Sequence, residues 1–161
     1  MNYLKEVMEQ KIVLMSKLKN KLAVWRFQDK NIVFTNGCFD IIHQGHIHLL
    51  STARSFGNVL IVGLNTDASV RKLKPDRPIQ DEHSRALIMA SFTFVDAVIL
   101  FDEETPYSLI QNIKPDVLVK GGDYSIGEVV GKDLVEGTGG SIEVVPLLQG
   151  LSTTNIVNKM R

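Results

Sequence analysis

At 161 residues and 18.0 kDa the chain is one domain's worth of polypeptide, long enough to bury a real core. Lys plus Arg equals Asp plus Glu at 18 each, so no overall field favours nucleic acid or an anionic membrane, and any anion site has to be built locally. The single cysteine, Cys38, excludes an internal disulfide and a thiolate metal cluster. With neither a basic-then-apolar leader nor an apolar run long enough to span a bilayer, the sequence predicts a soluble, cytoplasmic protein.

Residues 1–30 stand apart. Leu4, Met8, Leu14, Leu18, Leu22 and Trp25 recur at spacings near three and four among Lys and Glu, which predicts an amphipathic helical extension. Its apolar stripe either packs on the protein's own core or forms a subunit interface, and a homodimer is expected. The main domain, 31–161, alternates. Short β-branched runs come at Asn31–Thr35, Val59–Leu64, Ala97–Phe101, Val117–Val119 and Ser141–Val145, with helical stretches near 45–56, 82–92, 105–112, 127–138 and from about 153 to the end. Continuous apolar strands between helices predict a parallel sheet covered on both faces. The fold class is therefore α/β, a doubly wound Rossmann-like sheet, with ligands at the carboxyl ends of its strands. Neither Gly-x-Gly-x-x-Gly nor a P-loop follows the first strand, which argues against hydride transfer and P-loop chemistry.

Where the first strand gives way to a helix the chain reads Phe39-Asp40-Ile41-Ile42-His43-Gln44-Gly45-His46. His43 and His46 are three apart, so both imidazoles fall on one face at the helix opening. The helix N-terminus favours phosphate, Gly45 lets it approach the backbone, and two imidazoles can hydrogen-bond a phosphorus centre as its charge grows. Metal ligation and a pair of satisfied structural histidines are the competing readings. His48 points elsewhere. Three more segments seek anions or flat rings. Arg71-Lys72-Leu73-Lys74-Pro75-Asp76-Arg77 places four cations after the second strand, either on phosphates or in a solvated loop. Lys120-Gly121-Gly122-Asp123-Tyr124 after the fourth strand allows close backbone approach to a base, or is a tight turn. Ser152-Thr153-Thr154 opens the last helix with more hydroxyls than one N-cap needs, as a second phosphate cradle would. Asp40 is placed either to hold a histidine tautomer or to help bind metal, and Cys38 reads as packing rather than nucleophile.

Thr35-Asn36-Gly37-Cys38-Phe39-Asp40 together with His43-Gln44-Gly45-His46 resembles the cytidylyltransferase-type nucleotidyltransferase superfamily. Asn65–Val70, Arg77-Pro78-Ile79, Leu118–Tyr124 and Ser152–Ile156 extend the resemblance over residues 31–161, and Val-Lys-Gly-Gly-Asp-Tyr is similar to the adenylyltransferase of the heptose branch. That resemblance implies direct transfer of AMP from ATP, carried by Mg2+, to heptose 1-phosphate, with no resident metal site and no covalent intermediate. It implies catalytic roles for His43, His46, Lys72, Lys74 and Arg85, the arginine on phosphate. It implies nucleotide contacts from Thr35, Asn36, Gly37, Cys38, Phe39, Asp40, Gly45, Lys120, Gly121, Asp123, Ser152, Thr153 and Thr154. ATP and a phosphorylated sugar are then the partners, with a sugar kinase on a separate chain, and neither nucleic acid nor membrane is involved. Glycerol 3-phosphate with CTP, or a nucleotide-binding module without catalysis, are the alternatives.

Overall fold

The computed structural model describes residues 3–122, 125–146, 148 and 153–160. The predicted extension is two helices, α1 (Tyr3–Glu9) and α2 (Met15–Phe27), separated by a short extended stretch. That stretch joins the sheet: Val13 N–H donates to the Val98 carbonyl at 2.9 Å, and Val98 N–H to the Lys11 carbonyl at 2.8 Å. Five strands follow in alternation with helices. They are β1 (Ile32–Gly37), β2 (Val59–Asn65), β3 (Ala97–Phe101), β4 (Val117–Gly121) and β5 (Ser141–Val145). The helices between and after them are α3 (Gln44–Ser55), α4 (Asp67–Leu73), α5 (Glu82–Ser91), α6 (Tyr107–Ile113), α7 (Lys132–Glu136) and α8 (Thr153–Met160). The fourth helix, α4, carries the start of the basic segment and was not anticipated. Its seven residues are too few to show a helical period, and its N-cap is local: Thr66 accepts from Ser69 N–H at 3.2 Å.

All strand pairings are parallel, in the order β3-β2-β1-β4-β5. Every residue of β2 is buried, as a strand covered on both faces requires. Side chains alternate between two cores. Ile32 and Phe34 join Leu18, Leu22, Ile110, Ile113 and Val135 on one face. Val33 joins Leu50, Ala53, Ala86 and Met89 on the other. The extension thus contributes Leu18 and Leu22 directly to the main core, and Arg26 from α2 caps α6 by donating to the carbonyls of Ile113 and Lys114.

The order reverses direction at β1, whose neighbours β2 and β4 are reached by connections leaving on opposite sides. A sheet of this kind opens a crevice at the carboxyl ends of the strands flanking the reversal, here β1 and β4.

Candidate active site

Two cavities occupy that crevice. One, of about 300 Å³, lies between the start of α3, the ends of β1, β4 and β5, and Thr153 at the start of α8. The other, of about 350 Å³, runs toward Asn65, Leu73, Glu104, Thr105 and Val129. Asn36, Gly37, Cys38, Lys74 and Lys120 line both, so a single wall with two lysines divides them. A larger cleft of about 440 Å³ between Ile12–Met15, the end of β3 and α6 contains none of the residues expected to act on phosphate.

His43 and His46 stand in the first cavity. Their rings stack at 3.8 Å between centroids, and Phe39 packs edge-on against His46 at 5.3 Å. His43 is the N-cap of α3 without capping it through its side chain, and its carbonyl takes the His46 N–H at 2.9 Å. Gly45 lies in the same lining. Desolvation, helped by the neighbouring His43, lowers the His46 pKa to about 4, and burial also lowers that of His43. Both imidazoles are therefore neutral near pH 7 and are donors through one nitrogen each. The Nδ1 atoms of both are buried without a hydrogen-bond partner, which a satisfied structural pair would not leave. No group of three His, Cys, Asp or Glu side chains among the described residues is arranged to hold an ion.

The cations divide. Lys74 and Arg77 line the histidine cavity, with Lys120 opposite. Burial pushes the Lys120 ammonium below its ordinary value. Lys72 turns away to within 4.0 Å of Asp102, its side chain 57% exposed, so of the two lysines in this segment Lys74 is the one at the wall. Arg85, expected on phosphate, is 0% exposed and spends its guanidinium inside the protein. Its Nε donates to the Gln80 carbonyl at 3.0 Å, one Nη to the Cys38 carbonyl at 2.7 Å, and the other to Asp67 Oδ1 at 2.7 Å. The sequence shows a cation at this position but not that three protein acceptors surround it.

Asp40 lines the histidine cavity but turns its carboxylate to protein partners. At 2% exposure it accepts from Ile79 N–H, from Gln80 N–H and from Arg77 Nε at 2.5 Å, and it touches neither histidine. Burial alone would raise its pKa, but the Gln80 and Ile79 amides and the Arg77 guanidinium together hold it below the usual carboxylate range. Thr35 lies fully buried beneath the site, its hydroxyl without a partner, rather than in either lining. Asn36, Gly37, Cys38, Phe39, Gly121 and Thr153 do line the histidine cavity, and Thr153 Oγ1 reaches the Ile41 carbonyl at 3.5 Å. Burial raises the Cys38 thiol despite Lys74, Arg85 and Arg77 nearby, in keeping with a packing role. Asp123 and Ser152 lie outside the described residues, as does the side chain of Thr154. Asn65 was not singled out. It ends β2 with its Nδ2 donating to Ser69 Oγ at 2.9 Å and borders the second cavity. A polar residue closing an otherwise apolar strand was the available signal.

A crevice at a sheet reversal, lined by a helix N-terminus, two neutral imidazoles and two lysines, has the groups that suit a phosphate-handling protein. The chain belongs to the cytidylyltransferase-like family, whose model matches residues 34–158, and it is a nucleotidyltransferase. Among its relatives is the bifunctional protein HldE of Syntrophotalea carbinolica, 50% identical over 153 residues that cover 94% of this chain and 31% of that one. Another is HldE of Caulobacter vibrioides, 55% identical over 137 residues, 84% of this chain and 28% of that one. The chain thus spans about a third of the length of these relatives. A lipopolysaccharide core biosynthesis protein from Thermoplasma volcanium superposes with a TM-score of 0.61 at 30% identity, over 74% of this chain and 97% of that one. A pantoate-beta-alanine ligase from Francisella tularensis shares the fold, with a TM-score of 0.63 at 20% identity over 92% and 77% of the two chains.

Proposed function

We propose that the chain transfers the adenylyl group of ATP to D-glycero-D-manno-heptose 1-phosphate, giving ADP-heptose and pyrophosphate. The observation that carries this reading is the wall shared by two cavities, with Lys74 and Lys120 lining both. Such a wall suits two phosphorylated substrates that meet at one phosphorus atom. The triphosphate would lie in the histidine cavity, against the start of α3 and Thr153, and the sugar phosphate in the second cavity.

An oxygen of the acceptor phosphate attacks the α-phosphorus in line, the bond to the β-phosphate oxygen breaks, and pyrophosphate leaves with that electron pair. His43 and His46 donate to the non-bridging α-phosphate oxygens as charge grows there. Lys74 and Lys120 offset repulsion between the two incoming phosphates, and Arg77 adds to the field on the triphosphate side. Mg2+ would be held chiefly by the phosphates of ATP, as suits a hard cation that keeps most of its waters. The relatives' names and the heptose-branch resemblance of Val119–Tyr124 support the acceptor. A sugar kinase would supply it, the reaction would run in the cytoplasm, and a second copy of the chain is the proposed partner.

The test is pyrophosphate release from a panel of ATP, CTP and GTP against heptose 1-phosphate and glycerol 3-phosphate. ATP with heptose 1-phosphate should be turned over fastest. Faster release from CTP with glycerol 3-phosphate would replace the assignment, and triphosphate binding without release from any pair would leave a binding module.

A further inference from the structure

Arg85 is fully buried, yet it bonds the turn and the loop that form one side of the histidine cavity. Its three hydrogen bonds end on Cys38 in the β1–α3 turn, on Gln80 at the close of the basic loop, and on Asp67 at the start of α4. Asp67 is anchored in turn, its N–H donating to Glu82 Oε2 at 2.7 Å. The same turn grips the same loop a second time, because Asp40 takes the N–H groups of Ile79 and Gln80 and the Arg77 side chain. Gln80 is therefore stitched at both ends: its N–H to Asp40 and its carbonyl, through Arg85, to Cys38. Between Cys38 and Asp40 sits Phe39, at φ +44°, a left-handed conformation that a bulky residue holds only when its surroundings impose it. Its ring is the one that packs against His46.

We propose that Arg85 is a positioning residue, whose planar fork locks the turn that seats His46 to the loop that presents Lys74 and Arg77. The charge alone does not accomplish this. Three acceptors in three directions require the fixed geometry of a guanidinium, which an ammonium on a flexible stem lacks. Displacing imidazole and lysine relative to each other by an ångström is enough to cost on the order of 100-fold in rate.

The inference rests on the nucleotidyl-transfer reading for its activity readout, so a second readout independent of turnover is needed. Asp67→Asn removes the charged partner of the fork without touching either cavity lining, and Arg85→Lys keeps the charge but not the fork. Both variants should lose roughly 10- to 100-fold in kcat, and hydrogen exchange at the Ile79 and Gln80 amides should quicken in both, with the double variant no worse than either single one. Arg85→Lys with near-wild-type kcat, together with tighter triphosphate binding by Asp67→Asn, would show that the arginine acts by charge on phosphate and overturn the proposal. Lowered thermal midpoints with unchanged kcat and unchanged exchange at Ile79 and Gln80 would reduce it to a purely structural residue and overturn it equally. If wild-type protein transfers no nucleotide to any acceptor, the functional reading fails while amide exchange still decides the lock.

Discussion

At the scale of single residues, the histidine pair combines one reactive property with one cost. Neutral imidazoles buried against each other keep their donors available to phosphate, but the protonated forms are disfavoured in the folded protein. The sign follows from linkage. His46 has an ordinary value of 6.5 and a folded value of about 4, so the unfolded chain binds a proton that the folded chain refuses between those limits. Stability contributed by the neutral ring is complete above pH 6.5 and declines as pH falls toward 4. Thermal midpoints of His46→Gln should therefore vary less over that interval than those of the wild type. The same substitution should lower kcat on the order of 100-fold or more at pH 7, and wild-type turnover there would remove His46 from the mechanism. Asp40 behaves in the opposite range. Its lowered pKa gives stability that is present above the ordinary 3.8 and lost as pH falls through the folded value. Asp40→Asn leaves Arg77 beside a neutral amide and should cost about 3 kcal/mol in a denaturant titration.

At the scale of elements, the amino-terminal helices are part of the fold's core layer. Leu18 is 0% exposed and packs with Phe34, Ile110 and Ile113 beneath the sheet. Leu18→Ala should lose about 2–5 kcal/mol of stability, measured by urea unfolding monitored at Trp25. A loss below about 0.5 kcal/mol, the range of ordinary surface changes, would mean that α2 is only loosely attached. The α7–β5 connection offers a second test. A Cβ added at Gly140 would lie 2.7 Å from the Asp116 carbonyl oxygen and 2.6 Å from a Val135 methyl. Backbone cannot retreat as a side-chain tip can, so Gly140→Ala should destabilise by about 1–3 kcal/mol. The same change at Gly127, with nothing within 4 Å, should be nearly silent.

At the scale of the whole molecule, a chain of zero formal charge concentrates cations in one crevice. Triphosphate binding should then stabilise the protein in proportion to its occupancy, by about 2.7 kcal/mol at a hundred times Kd. Chelating Mg2+ should abolish turnover while leaving the apo thermal midpoint unchanged, because no cluster of ligating side chains among the described residues depends on a bound ion. A fall in the apo midpoint on chelation would instead reveal a structural metal. None of the helices among the described residues is long and apolar enough to cross a membrane.

The sequence by itself determined the architecture and the place of the histidine motif in it. Five apolar runs separated by helical spacing leave little choice but a parallel sheet with two covered faces, and His43-Gln44-Gly45-His46 follows the first run directly, so its place at a strand's carboxyl end is a local consequence. It likewise marked Lys74, just after α4, Lys120 and Gly121, which end β4, and Thr153, which starts α8. Tertiary structure decided which cations face the cavities. Lys72 and Lys74 are two residues apart, and a turn at the end of α4 sends one to Asp102 and the other to the shared wall. For Arg85 and Asp40 too, a charge in a sequence shows its sign but not its partners. Those partners, Gln80, Cys38 and Asp67 for the one and Ile79, Gln80 and Arg77 for the other, come from segments up to 47 residues away, and only the folded chain brings them within hydrogen-bond reach.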